Sequence, residues 1–457
     1  MHRALLPDSA MHRDITARHL LVALGLTFAS AVLCAIPAAA QTSQASASVT
    51  TPIRVVNNHV YVRVTSGGRE MWFLLDTGAG ASLMNMATAD SLGIPLGDSV
   101  RIGGAGPAVV RGARLKDATV RLAGDPSMSV SPRVAMPMTG LNNYEGIPVS
   151  GILGHDFLVQ RVIEIDYAAE RLTLYDPKTF RYSGSGARVP ITIRDNYPHV
   201  NAELELKDGG RITADLIIDV GSSGALALGK PLVEKHRLIE RTGPTIYRQT
   251  GRGAGGAMRA HMGRLARLRL GTAEVVSPIA GMHGDSAGVF SHDRLFEGNI
   301  GGEVLRRFTV ILDYGRKEMI LQPNAAHDEP FEADMSGAGF RIDSAHAGLR
   351  VTDIMKDGPA AQAGLEENDL ITAIDGKPAM EYGVDALRLR LRRQGGEITF
   401  TVLRDGVERT IRIPIRRLVM RDRARAAGTS FADHAIGDGA PFADHAIGDG
   451  APFADHA

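Results

Sequence analysis

Cysteine is almost missing from this chain: Cys34 is the only one in 457 residues. That excludes a disulfide framework and any metal site built from several thiolates. An excess of charge of either sign is missing as well, with 51 Lys+Arg against 51 Asp+Glu. The balance removes the bulk electrostatic case for binding nucleic acid or an anionic membrane surface. What remains is 44% hydrophobic and 22% charged, the composition of a folded protein rather than a disordered one. The length allows several domains and ample buried core. The 52 glycines point to many tight turns and hairpins.

One apolar run stands out, residues 19–36, preceded by Arg3, Arg13 and Arg18 and followed by Pro37-Ala38-Ala39-Ala40. A basic region, an apolar core and an A-x-A site make a secretory signal, with cleavage near Ala40; an uncleaved membrane anchor is the alternative. Val32-Leu33 before Cys34 does not suit lipidation, so the mature chain is expected to be thiol-free, as an oxidising compartment favours. At the other end FADHAIGDGAP, from Phe431, recurs from Phe442, and FADHA returns at Phe453. Gly-Asp-Gly-Ala-Pro in every period breaks any helix, so residues 417–457 read as a disordered repeat tail.

The central observation is an internal repeat. His59-Val60-Tyr61-Val62 precedes Phe73-Leu74-Leu75-Asp76-Thr77-Gly78-Ala79, and His199-Val200-Asn201-Ala202 precedes Leu216-Ile217-Ile218-Asp219-Val220-Gly221-Ser222. Asp219 follows Asp76 by 143 residues, and a second block opening at Gly151 returns 147 residues later at Gly298. Within it Ile152-Leu153-Gly154 matches Asn299-Ile300-Gly301, and Asp166-Tyr167 matches Asp313-Tyr314. Two blocks in the same order at nearly one offset imply duplication and two similar lobes. Short β-rich runs flank Gly-rich stretches near Gly104 and Gly253, which predicts hairpins; helical spacing is confined to pieces such as residues 82–92 and 229–238.

An Asp closing an apolar strand, followed by a Gly that permits a tight turn, presents its carboxylate at the strand mouth. Two such turns face to face share one proton, since two adjacent carboxylates do not both ionise cheaply. The ionised member then deprotonates water while the protonated one polarises a carbonyl. That chemistry needs no metal and no cofactor. On these motifs residues 54–323 resemble the aspartic proteases of the pepsin/retropepsin type, in the bacterial retropepsin-like form with two lobes in one chain. The resemblance implies a mainly β, bilobal acid-protease fold with lobes at 54–180 and 181–324, after a linker at 41–53. It implies Asp76 and Asp219 as the catalytic pair, Thr77, Gly78, Gly221 and Ser222 as supporting loop residues, and flaps at Gly104 and Gly253. The sequence departs from the pattern at Val220, where the family has Thr or Ser, and at Asn299.

Two other motifs carry less weight. Gly284-Asp285-Ser286-Ala287-Gly288 fits G-x-S-x-G but lacks the strand-to-helix setting of a nucleophile elbow. Gly251-x-Gly253-x-x-Gly256 fits a dinucleotide fingerprint without a βαβ unit around it.

After the acidic stretch HDEPFEAD, read as a linker, Gly337-Ala338-Gly339-Phe340, then Gly358-Pro359-Ala360-Ala361-Gln362-Ala363-Gly364-Leu365 and Asn368-Asp369-Leu370-Ile371-Thr372-Ala373-Ile374-Asp375-Gly376-Lys377-Pro378 resemble a PDZ domain of the bacterial protease kind over 334–416. The resemblance implies that a peptide adds to the edge strand and that a nest at Gly337, Ala338, Gly339 and Phe340 captures its carboxylate, with residues 382–392 as the facing helix. Arg388, Arg390, Arg392 and Arg393 read as a solvated basic face. The expectation is an exported, periplasmic or secreted aspartic endopeptidase acting on proteins or peptides, its PDZ tethering substrate or partner C-termini, with neither nucleic acid nor a stable membrane anchor as partner. The rival is a catalytically silent peptide-binding scaffold.

Overall fold

The computed structural model describes residues 48–420, apart from 285–287 and 293. The signal segment, Cys34, the repeats from Phe431 and Ser286 lie outside the described residues. No helix among the described residues is long and apolar enough to cross a membrane.

The described chain is mainly β. Its body is two lobes built alike around the repeated strands. In lobe one the apolar strand Arg69–Leu75 runs parallel to Gly151–Leu153, which in turn pairs antiparallel with Leu83–Asn85. In lobe two Arg211–Ile218 runs parallel to Gly298–Ile300, and that strand pairs antiparallel with Leu226–Leu228. Where the long strands pair in parallel, at residues 73–75 and 216–218, they are buried on both faces and read as short apolar runs, as parallel pairing requires.

A six-stranded sheet joins the lobes. Lobe one supplies Ser48–Val56, Arg171–Tyr175 and Val162–Asp166; lobe two supplies Ala187–Pro190, Glu318–Pro323 and Phe308–Asp313, in mirrored order. The two innermost strands pair antiparallel, Ile163 opposite Leu312 and Ile165 opposite Val310, and one hydrophobic core spans both lobes. The outer strand begins at Ser48, so residues 48–53 belong to this sheet and not to a linker. Thr51 and Ile53 are buried there; the alternation of SVTTPI is too polar to announce a strand without its partner.

The duplication has a different register from the one the sequence suggests. Tyr61 pairs with Leu74 and His199 with Ile217, each the residue two before its Asp. His199 therefore corresponds to Tyr61, and His59 corresponds to Tyr197. A strand pattern has period two, so sliding one copy by two residues keeps every apolar position in phase. The His-Val match was coincidental.

The third unit has its own core, from Met335 to Ile415, around a sheet ordered Ala338–Asp343, Gly348–Ile354, Leu370–Ile374, Glu397–Arg404, Val407–Pro414. Ala338–Asp343 is an edge, and the helix Val384–Leu391 lies beside it. Both ends of this unit are pinned to the lobes. Phe331, in the stretch read as a linker, is 2% exposed, lies 3.6 Å under the Arg307 guanidinium and gives its carbonyl to Arg264. Val419, in the stretch read as tail, is buried in the lobes' core. Hydrophilic neighbours hide these two anchors from composition.

Candidate active site

Asp76 and Asp219 end their strands at the centre of the body and face each other. Each loop is held from behind by the second repeated block. The Asp76 N–H donates to the Leu153 carbonyl at 3.0 Å and the Asp219 N–H to Ile300 at 2.9 Å. Each carboxylate accepts from the glycine of its own loop, Gly78 to Asp76 at 2.8 Å and Gly221 to Asp219 at 3.0 Å. Those glycines are necessary because each lies against the opposite carboxyl: a Cβ on Gly78 would stand 2.7 Å from Asp219 Oδ1, and one on Gly221 2.7 Å from Asp76 Oδ2. The carboxyls are within hydrogen-bonding reach of one another.

The loops are braced from one side only. Thr77 Oγ1 donates to the Ile218 carbonyl at 2.6 Å and accepts from the Val220 N–H at 3.0 Å. Val220, fully buried, has no hydroxyl to return those bonds. Ser222 supports its own loop through the backbone: its N–H donates to the Asp219 carbonyl at 3.2 Å, and its carbonyl accepts from the Gly302 N–H at 2.6 Å.

Electrostatics set the pair apart from ordinary acids. Burial, then the charge of Asp219, pushes Asp76 well above the usual carboxylate range. Burial also raises Asp219, but hydrogen bonds from Asn299 and Asp76 oppose it. Asn299 Nδ2 donates to Asp219 Oδ2 at 2.6 Å. Nearby, His59 Nδ1 lies 3.0 Å from Glu145 Oε2, both nearly inaccessible. Burial alone would lower His59, yet Glu145 with Asp76 and Asp219 raises it; burial would raise Glu145, yet His59 and Arg388 lower it. The result is a buried ion pair beside the dyad. Sequence reasoning missed its role, because His59 reads as a strand residue and Glu145 lies 86 positions away. Among the described residues no group of three or more His, Asp or Glu converges as a metal site.

Two hairpins roof the site. Leu96–Ile102 with Val110–Leu115 and Ile246–Gly253 with Gly256–Arg264 meet tip to tip: Gly106 N–H donates to Ala254 O at 2.8 Å and Ala108 N–H to Gly255 O at 3.0 Å. Gly104 and Gly253 line the resulting cleft, a cavity of about 500 Å³ that also takes in Asp76, Asp219, His59 and Tyr197. Its walls are largely apolar, with Leu74, Ile152, Ile217 and Phe296.

The edge groove of the third unit is not open. The helix Thr139–Glu145 packs against Ala338–Asp343, and a Cβ on the following Gly146 would stand 2.6 Å from Val384 Cγ1 and 3.6 Å from Ile342 Cδ1. Arg388 donates to the Tyr144 carbonyl with its guanidinium 4.5 Å over the Tyr144 ring, and Arg392 lies 3.3 Å from Glu303. These two arginines therefore face the lobes, not solvent. Gly337, Ala338, Gly339 and Phe340 sit at the end of that groove; Ala338 gives its carbonyl to Arg248 at 3.1 Å, and Ala338 to Phe340 line a second cavity of about 150 Å³.

Paired lobes and facing Asp-Gly loops define a bilobal acid-protease-like body followed by a peptide-groove module. Residues 62–157 match the aspartyl protease family, and residues 331–403 match the PDZ domain; the chain thus carries an aspartyl protease domain and a C-terminal PDZ domain. Among curated proteins it is 34% identical over 84 residues to the serine endoprotease DegS of Escherichia coli, 18% of this chain and 23% of that one. It is 41% identical over 61 residues to a putative zinc metalloprotease of Mesorhizobium japonicum, 13% of this chain and 16% of that one. It is 29% identical over 87 residues to a probable CtpA-like serine protease of Staphylococcus haemolyticus, 19% and 18%. The chain thus matches less than a quarter of the length of these relatives. Each match is too short to span both lobes, and the names cover two catalytic classes.

Proposed function

We propose that the protein is an aspartic endopeptidase in which Asp76 and Asp219 share one proton and activate a water against a peptide bond. One observation carries the reading: two half-buried carboxyls meet across a pseudo-twofold axis under a closed roof of hairpins. Coupling of this kind raises one pKa strongly and keeps one acid and one base together. The extended apolar cleft suits a peptide strand, and the hairpin tips part to admit it and exclude water on closing. The lobes act as one unit, 48–180 with 181–324, and the PDZ unit at 334–416 stands beside the cleft; its edge groove is filled by the helix Thr139–Glu145, so it takes a substrate or partner C-terminus only when that helix undocks. The basic and apolar N-terminal segment supports export to the periplasm or beyond.

The relatives named as proteases support proteolysis; for the serine chemistry in two of their names, the motif in this sequence that fits is Gly284-Asp285-Ser286-Ala287-Gly288. A single experiment separates the readings. The purified chain and its Asp76→Asn and Asp219→Asn variants are incubated with an unfolded protein between acid and neutral pH. Cleavage abolished by both substitutions supports the dyad. Cleavage that survives both and is blocked by a fluorophosphonate transfers the chemistry to Ser286. No cleavage by wild type supports the peptide-binding scaffold, the reading that the missing hydroxyl at Val220 favours.

A further inference from the structure

Apart from the one-sided brace of Thr77, the two Asp loops are alike in their backbone contacts, which makes the difference at their carboxylates informative. Each carboxylate accepts from its own loop glycine, and each backbone N–H is held by the matching block. The strand that braces lobe one presents Ile152 at the position where lobe two presents Asn299. Asn299 is 4% exposed and spends its amide N–H on Asp219 Oδ2 at 2.6 Å. Its Oδ1 is buried with no partner. An orphaned buried carbonyl is costly, and an apolar residue is sterically suited to this strand, as Ile152 is to its own. The amide is therefore retained against a stability cost, and its single bond goes to a catalytic-site carboxylate.

We propose that Asn299 breaks the symmetry of the pair, fixing Asp219 as the carboxylate and leaving Asp76 to carry the shared proton. The proposal rests on the dyad reading above. A donor aimed at one carboxylate favours its charged form, and among the described residues Asp76 has no such donor beyond its glycine. The remaining groups near the pair do not create the difference: the His59–Glu145 ion pair acts on both aspartates, as does Tyr197, while Tyr167 near Asp219 and Tyr314 near Asp76 mirror each other and are held neutral by burial. Burial raises both carboxyls, and the Asn299 hydrogen bond opposes that rise at Asp219.

The roles then follow. Asp219 takes a proton from water as the water oxygen bonds to the scissile carbon. The carbonyl π pair moves to oxygen, which takes the proton of Asp76, giving a neutral gem-diol. As the C–N bond breaks, Asp219 returns its proton to the leaving nitrogen and Asp76 recovers one from a diol hydroxyl. The dyad is restored, and one water has been consumed. Asn299 is a positioning residue that acts through Asp219.

The test titrates each aspartate alone. In ¹³C-Asp-labelled Asp76→Asn protein the Asp219 carboxyl is followed by NMR, and in Asp219→Asn protein the Asp76 carboxyl. Asp219 is expected to titrate the lower of the two, by roughly half to one pH unit for one strong donor. Adding Asn299→Ile, the lobe-one residue, removes the difference, and Asn299→Thr, which keeps a donor, restores part of it. In active enzyme, Asn299→Ile moves the acid limb of kcat/KM upward by a similar amount. Asp76 titrating at or below Asp219 overturns the proposal, as does an acid limb that Asn299→Ile leaves in place. The titration reads out whether or not peptide is cleaved, so its failure is distinct from a failure of the dyad reading. If Asn299→Ile does not fold, the comparison of the two aspartate variants still decides.

Discussion

Thr77 and Val220 occupy equivalent places and behave oppositely. Thr77 Oγ1 satisfies two buried backbone groups of the other loop, so Thr77→Val should cost roughly 1–3 kcal/mol, read by chemical denaturation. Val220→Thr supplies the missing hydroxyl and should stabilise by about 1 kcal/mol, with a higher kcat if loop bracing limits turnover. His59 sets a pH window. Its pKa is raised above 6.5, so its contribution is whole below that value and is lost as pH rises through the higher folded pKa. Glu145 is lowered from 4.5, so its contribution is whole above that value and is lost as pH falls through the lower folded pKa. The ion pair is therefore at full strength between pH 4.5 and 6.5, and His59→Phe should flatten the stability–pH curve outside that window. The same change strands Glu145 and should cost roughly 3 kcal/mol or more.

At the scale of elements, the duplicated blocks were legible because both the Asp loops and their bracing strands are short, apolar and ended by glycine. Gly154 shows why. A Cβ there would stand 2.6 Å from the Ala81 carbonyl carbon, in a place where backbone cannot give way. Gly154→Ala should destabilise by roughly 1–3 kcal/mol. The hairpins were legible from glycine density, but their meeting was not, because it depends on tips as far apart in sequence as Gly106 and Ala254 closing over one cleft. A Cβ on Gly106 would stand 2.7 Å from the Gly255 carbonyl oxygen. Gly106→Ala should part the tips and raise KM by about tenfold, equivalent to about 1.4 kcal/mol, with a smaller change in kcat.

At the scale of the whole molecule, the PDZ unit grips the machinery it flanks. Asp353, buried, accepts from the Gln249 N–H at 3.2 Å and pairs with Arg259, so it holds both strands of the second hairpin. Arg388 holds the helix that carries Tyr144 and Glu145. Arg388→Ala should speed hydrogen exchange in residues 139–146 by about ten- to a hundredfold while leaving the lobe core protected. Glu303 adds an acid-resistant tie. Burial would raise it, but Arg392, Arg306 and Arg307 lower it to about 2, so its contribution is whole above pH 4.5 and is lost progressively as pH falls from 4.5 to about 2. Undocking followed by small-angle scattering on an acid series should set in below pH 4.5 and be complete near pH 2.

Local pattern was enough for the β class, the two lobes, the Asp loops and the PDZ signature, because each is written in contiguous residues whose period and glycines dictate a turn or a strand. The slide of two between His59 and His199 escaped it, since a period-two pattern is blind to such a shift. The His59–Glu145 pair, the one-sided brace, the Asn299 contact and the filling of the PDZ groove escaped it for another reason. Each joins groups far apart in the chain, and only tertiary packing brings them into one low-dielectric site where a single donor or charge changes what a carboxyl does.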